Sequence, residues 1–188
     1  MDGSPTTERC AVIDLPEPEL RERLTAALGV RRWVDDVIAA GPFESVATLS
    51  EFARASATPL PHEELDEAVA HHPRIGEKPI GVGASQTLSH GEQAGLGAAD
   101  EGVDAAIARG NKVYEERFDR VFLIRAAGRS RQEILDELQR RLKNDPEAEA
   151  DEAGEQLRQI MELRLRTLFA DTETTGDSET SSDSGAGA

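Results

Sequence analysis

The chain has 188 residues, a formal net charge of −16 and a pI of about 4.6. That balance repels phosphate backbones and anionic lipid surfaces, so it argues against nucleic-acid and membrane roles. The length suits one domain with tails, and with aromatics at 4% the core must rest on Leu, Ile, Val and Ala. The lone cysteine, Cys10, allows neither an intramolecular disulfide nor a cysteine-built zinc site. No signal peptide or bilayer-length apolar run is visible, so the cytoplasm is the expected location.

Residues 1–13 read as a flexible lead-in to a domain over 14–170. Leu20, Leu24, Ala27 and Leu28 recur at helical spacing, after Pro16 and Pro18 and before a stop at Gly29. A second helix carries Trp33, Val34, Val37 and Ile38 and ends at Gly41-Pro42. Ser45 is placed to cap a third, which carries Val46, Leu49, Phe52 and Ala53 as its apolar positions. A fourth, from about His62 to Ala70, turns Leu65, Ala68 and Val69 to the core.

A long break follows. His72 precedes Pro73, which favours extended geometry, and Gly76, Pro79, Gly81 and Gly83 keep regular structure from resuming until Ser89. Val103, Ile107, Gly110, Tyr114 and Phe118 make the next helical stripe. Val121 to Ile124 is a short apolar run, expected as a buried extended segment. Ser130 and Glu133 form a capping box for a helix bearing Ile134, Leu135, Leu138 and Leu142. Asp145-Pro146 starts the last helix, which runs to about Phe169. Residues 171–188 are Thr, Ser, Gly, Asp and Glu and cannot bury enough surface to fold. The expectation is an all-α domain of seven or eight helices with disordered ends.

Four places hold groups able to do chemistry. On the last helix Leu157, Ile160, Met161, Leu165 and Leu168 share one side, and Arg164 falls in their midst. A guanidinium there needs a core carboxylate, a route to the edge along which to snorkel, or a bound substrate. Ser89-x-x-Glu92 has the form of a capping box, which accounts for both residues without chemistry. Gln93 is not needed by a cap, and a Glu-Gln pair at a helix start is suited to holding a polar ring. His72 suits general acid–base work, since an unperturbed imidazole has its pKa near neutrality. A metal site would need His71, His72, His90 and Glu92 to converge, but no His-x-x-x-His or His-Glu-x-x-His pattern exists.

Taken in order, several motifs resemble those of the 2-oxo-4-hydroxy-4-carboxy-5-ureidoimidazoline (OHCU) decarboxylases of purine catabolism. They are His-Pro-Arg-Ile-Gly-Glu (72–77), Ser-x-x-Glu-Gln (89–93), Asn-x-x-Tyr-Glu-x-Arg-Phe (111–118), Phe-Leu-Ile (122–124), Gly-Arg-Ser (128–130) and Leu-Arg-Leu (163–165). Trp33 and Pro42-Phe43 also fit, and the resemblance covers roughly residues 14–169. It implies an all-α enzyme, usually a homodimer, with no metal or organic cofactor. Such an enzyme converts OHCU to (S)-allantoin in urate degradation. By resemblance His72 is the catalytic histidine, with Glu92 and Arg164 beside it. Pro73, Ser89, Gln93 and the backbone of Phe122, Leu123 and Ile124 are expected to hold the small-molecule substrate. The resemblance also allows a transient association with urate-pathway enzymes. Two other readings stay open: a non-catalytic acidic helical interaction module, and a metal-dependent ureide amidohydrolase.

Overall fold

The computed structural model describes residues 13, 15–70, 72, 74, 75, 87–89, 91, 92 and 100–172. Seven helices are defined among them: α1 (Glu17–Ala27), α2 (Arg31–Ala40), α3 (Val46–Ser56), α4 (His62–Val69), α5 (Glu101–Phe118), α6 (Arg131–Arg141) and α7 (Pro146–Leu168). Residues 87–89 and 91–92 are helical as well. No strand occurs among the described residues; Ile13 and Phe43 form an isolated antiparallel bridge.

The helix boundaries follow local chemistry. Gly29 takes a φ of +73°, the left-handed turn that ends α1 and costs glycine little. Ser45 accepts from the Thr48 N–H, and Thr48 answers by accepting from the Ser45 N–H. Ser130 and Glu133 do the same for α6, and Asp145 accepts from Glu147 and Ala148 at the start of α7. These caps satisfy backbone N–H groups that a helix start leaves unpaired.

The long helix α7 is the spine, packing against α1, α3 and α4. Around it lies the first core, which includes Leu24, Trp33, Val37, Leu49, Leu157 and Met161. Trp33 also donates to the Ala53 carbonyl at 2.8 Å, tying α2 to α3. A second core joins α5 to α6 through Ile107, Tyr114, Phe118, Ile134 and Leu138. Gly110 lets this pair close up, since a Cβ there would lie 2.5 Å from Leu138 Cδ2.

The stretch between α5 and α6 stitches the cores together. Residues 121–126 have no helix or strand assignment, and Phe122, Leu123 and Ile124 are all buried. Leu123 enters the first core while Phe122 and Ile124 enter the second. Alternate residues of an extended chain face opposite ways, so one short segment serves both.

Three expectations need correcting. Ile13, assigned to the loose lead-in, is buried and its N–H bonds the Phe43 carbonyl at 3.3 Å. Phe52, counted among the apolar positions of α3, is 37% exposed and leans on Phe43, the ring centroids 5.8 Å apart. Asp171, assigned to the tail, accepts from Arg23 at 2.8 Å. Residues 1–12 and 173–188 lie outside the described residues.

Candidate active site

His72 stands just beyond α4. Its N–H bonds the Val69 carbonyl at 2.9 Å, and ring Nδ1 lies 2.7 Å from the Ala68 carbonyl. A carbonyl oxygen can only accept, so Nδ1 carries the hydrogen. In the neutral ring the basic lone pair is then on Nε2. The end of α4 thus sets both the orientation and the tautomer of this imidazole.

Ser89 and Glu92 are three residues apart in a helical stretch and so share a face. Helical geometry is already present at residue 87, so Ser89 does not start it, contrary to the expectation. Both side chains turn to Arg164 instead. Arg164 Nε and Nη2 donate to the two oxygens of Glu92 at 2.7 and 3.0 Å. Nη2 also donates to Ser89 Oγ at 2.8 Å, and Nη1 to the Ala26 carbonyl at 3.2 Å. The Arg164 side chain is 1% exposed and that of Glu92 15%. A buried guanidinium requires this compensation, and a bidentate carboxylate supplies charge and geometry together.

One pocket brings His72, Ser89 and Glu92 against Phe122, Leu123 and Ile124. Ile75, Ala126 and Ile160 line its apolar side. It therefore opens on the seam between the two cores, where the extended segment crosses. Its cavity volume is about 20 Å³. Arg164 stands behind Glu92 and Ser89 rather than on this lining. Pro73 and Gln93, the other two residues expected here, lie outside the described residues, as do His71 and His90. Among the described residues no three His, Cys, Asp or Glu side chains gather as a metal would require.

Sequence reasoning missed the polar groups behind the wall. Arg141 and Glu149 are both fully buried and joined: Nε and Nη2 of Arg141 donate to Glu149 Oε1 at 2.8 and 2.5 Å. Tyr114 donates its hydroxyl to the same carboxylate, and Asn144 Nδ2 donates to Glu149 Oε2 at 2.9 Å. Burial pushes the Tyr114 phenol well above its ordinary range, so it remains a donor. Arg141 Nη1 reaches the Leu123 carbonyl at 2.7 Å. Gln156 Oε1 accepts from the Arg125 N–H at 3.0 Å, and Asn111 Nδ2 donates to the Ile75 carbonyl at 3.1 Å. The signal was present: Arg141 falls three after Leu138 and seven after Ile134, in line with the apolar stripe of α6. The same test singled out Arg164.

The sequence pattern of the OHCU decarboxylase family matches residues 14–166. A 2-oxo-4-hydroxy-4-carboxy-5-ureidoimidazoline decarboxylase of Amia calva is 36% identical over 125 residues, covering 65% of this chain and 69% of the relative. The uric acid degradation bifunctional protein TTL of Arabidopsis thaliana is 31% identical over 56% of this chain, which spans only 33% of that longer protein. Among solved structures, an OHCU decarboxylase in the presence of (S)-allantoin superposes with a TM-score of 0.66 at 24% identity, over 80% of this chain and 99% of that one. An (S)-allantoin synthase gives 0.61 at 15% identity, over 84% of this chain and 52% of that one. At such identities the two structures speak for the helical fold. The family pattern, running from just before α1 almost to the end of α7, makes this chain a member of the OHCU decarboxylase family.

Proposed function

We propose that this chain decarboxylates OHCU to (S)-allantoin in urate degradation, with His72 as the proton-handling group and Glu92, Ser89 and Arg164 as its polar frame. The observation that carries the proposal is the meeting of His72, Ser89 and Glu92 at one pocket, with Arg164 clamping the last two. Family membership supplies the reaction.

The chemistry asks little of the protein beyond placement. When the carbon–carboxylate bond breaks and CO2 leaves, the electron pair passes into the C=N bond of the imidazoline ring. The ring nitrogen takes a proton from solvent, leaving an enol. The hydroxyl proton then moves to the neighbouring ring carbon, the hydroxyl becomes a carbonyl, and allantoin results. The substrate contains its own electron acceptor, so no cofactor step is needed. His72, with its lone pair on Nε2, is suited to take the hydroxyl proton and deliver one to carbon. Delivery from one face yields one enantiomer.

Glu92 accepts from substrate N–H groups, and Ser89 and Gln93 fix the ring. Arg164 keeps Glu92 aimed through its two-pronged contact. From behind Glu92 and Ser89 it also contributes positive charge to the site where a carbonyl or hydroxyl oxygen gains negative charge as CO2 departs. A direct grip on the departing carboxylate would stabilise the ground state and slow the reaction. Pro73 belongs to the same proposal as a substrate contact, as do the Phe122–Ile124 backbone groups. A homodimer resident in the cytoplasm completes it, on the strength of the family likeness, and a transient association with urate-pathway enzymes would fit there.

Circular dichroism of freshly made OHCU, with and without the protein, tests the reading. An optically active product appearing faster than spontaneous decay is expected. A racemic product at the spontaneous rate would leave a helical interaction module as the better account. Loss of activity on exhaustive chelation would favour an amidohydrolase.

A further inference from the structure

The wall formed by Phe122, Leu123 and Ile124 is held from behind at two successive peptide groups. Arg141 Nη1 donates to the Leu123 carbonyl at 2.7 Å, and Gln156 Oε1 accepts from the Arg125 N–H at 3.0 Å. A trans peptide points its C=O and N–H in opposite directions. The Ile124 N–H shares a peptide with the Leu123 carbonyl, so it points away from Arg141. The Ile124 carbonyl shares a peptide with the Arg125 N–H, so it points away from Gln156. In an extended residue these two groups lie on one side of the chain. Ile124 lines the pocket.

We propose that Arg141 and Gln156 are positioning residues which together turn the Ile124 N–H and C=O toward the pocket, as an adjacent donor and acceptor for the N–H/C=O edge of a ureide. The proposal rests on the function proposed above, in which the Phe122–Ile124 backbone contacts substrate, and adds the two residues that aim it.

The surroundings of Arg141 favour a directional role. Its guanidinium lies 4.9 Å from the Phe122 ring centroid and 5.9 Å from that of Tyr114, and Glu149 fixes its other edge. A buried ion pair is a weak stabilising device compared with well-packed apolar side chains. What apolar packing could not supply is a rigid N–H aimed at one carbonyl. Gln156 and Glu149 lie on α7, the helix that also carries Arg164. One helix therefore holds both the frame around Glu92 and the back of the Ile124 wall.

The test uses Arg141→Lys and Gln156→Leu in the full chain, with wild type assayed in parallel on OHCU. Arg141→Lys keeps a cation opposite Glu149 but loses the forked geometry; Gln156→Leu removes the acceptor at similar volume. Each is expected to raise KM about tenfold, the scale of one mispositioned hydrogen-bonding group. Helical circular dichroism and the pH profile of kcat, which reports His72, should not move. The second readout is the 15N–1H signal of Ile124 in wild type, expected to shift on titration with (S)-allantoin. A folded Gln156→Leu with wild-type KM overturns the proposal. So does an Ile124 amide unmoved by (S)-allantoin in a wild type that turns over OHCU, and that outcome leaves the decarboxylase function standing. A wild type without turnover removes both. Should Arg141→Lys fail to fold, Gln156→Leu and the wild-type amide signal still decide.

Discussion

Arg164 holds Glu92 by two parallel hydrogen bonds, Nε to Oε1 at 2.7 Å and Nη2 to Oε2 at 3.0 Å, across 72 positions of sequence. The fork fixes the plane of the carboxylate, and Ser89 on the same guanidinium fixes its neighbour. Since the Arg164 side chain is 1% exposed, either charge left alone would be badly solvated.

Arg164→Met is therefore expected to destabilise the fold by about 3–5 kcal/mol, the cost of stranding one partner of a buried pair. Arg164→Lys keeps the charge but cannot form the fork. It should lose less stability, yet turnover per folded molecule should fall by at least ~10-fold as Glu92 loses its aim. Urea titrations beside OHCU turnover separate the two effects. Wild-type turnover in a folded Arg164→Lys would remove Arg164 from the working site.

His72→Ala removes the imidazole at the end of α4 while leaving the helix cores untouched. Helical circular dichroism should be unchanged, and turnover should fall by ~10²–10⁴-fold, the usual contribution of a placed acid–base group. Residual product should be racemic. Full production of (S)-allantoin by this variant would refute the role of His72.

Glu155 joins α7 to α3. It accepts from Arg54 at 2.9 and 3.0 Å, from Arg158 at 3.0 Å and from Gln159 at 3.1 Å. Partial burial works to raise its carboxyl, but the hydrogen bonds from Gln159, Arg54 and Arg158 outweigh it and bring the group down to about 2. A carboxylate depressed in the folded state stabilises above its unfolded value and loses that contribution as pH falls toward the folded one. Wild type should thus melt above Glu155→Gln at pH 7, and the two should converge between about pH 4.5 and 2. A gap in Tm that persists unchanged to pH 2 would contradict this.

Gly110→Ala would place a methyl 2.5 Å from Leu138 Cδ2 and 3.1 Å from its Cγ, inside the α5–α6 contact. Leu138 is fully buried. Overpacking costs about 1–3 kcal/mol, while replacing a helical glycine by alanine returns up to ~1 kcal/mol. A net loss of about 1 kcal/mol is expected by thermal melting. In a Leu138→Ala background the obstruction is gone, so the same change should stabilise; additive effects in the double mutant would rule out the contact as the cause.

Much of the architecture was legible in the chain because its causes are local. The caps at Ser45, Ser130 and Asp145, the stop at Gly29 and the stripes of α2, α6 and α7 arise from residues within one or two turns of each other. Arg164 stood out for the same reason, as a charge on an apolar stripe. Residues 122–124 also read correctly as a buried segment, from apolar composition in a short run, and they have no helix or strand assignment.

What the sequence by itself determined, then, was a string of capped amphipathic helices, a motif set with one family's order, and a short roster of residues able to do chemistry. Only the tertiary structure decided which of those residues meet. Ser89 and Glu92 satisfy the pattern of a helix cap, and no local rule distinguishes that use from a clamp on a guanidinium 72 positions away. Arg141, Glu149 and Tyr114 likewise appear as separate features of three helices until packing brings them behind Leu123. Hydrogen bonds and ion pairs act over a few ångströms of space, whatever the separation along the chain, so their partners are chosen by how the two cores dock.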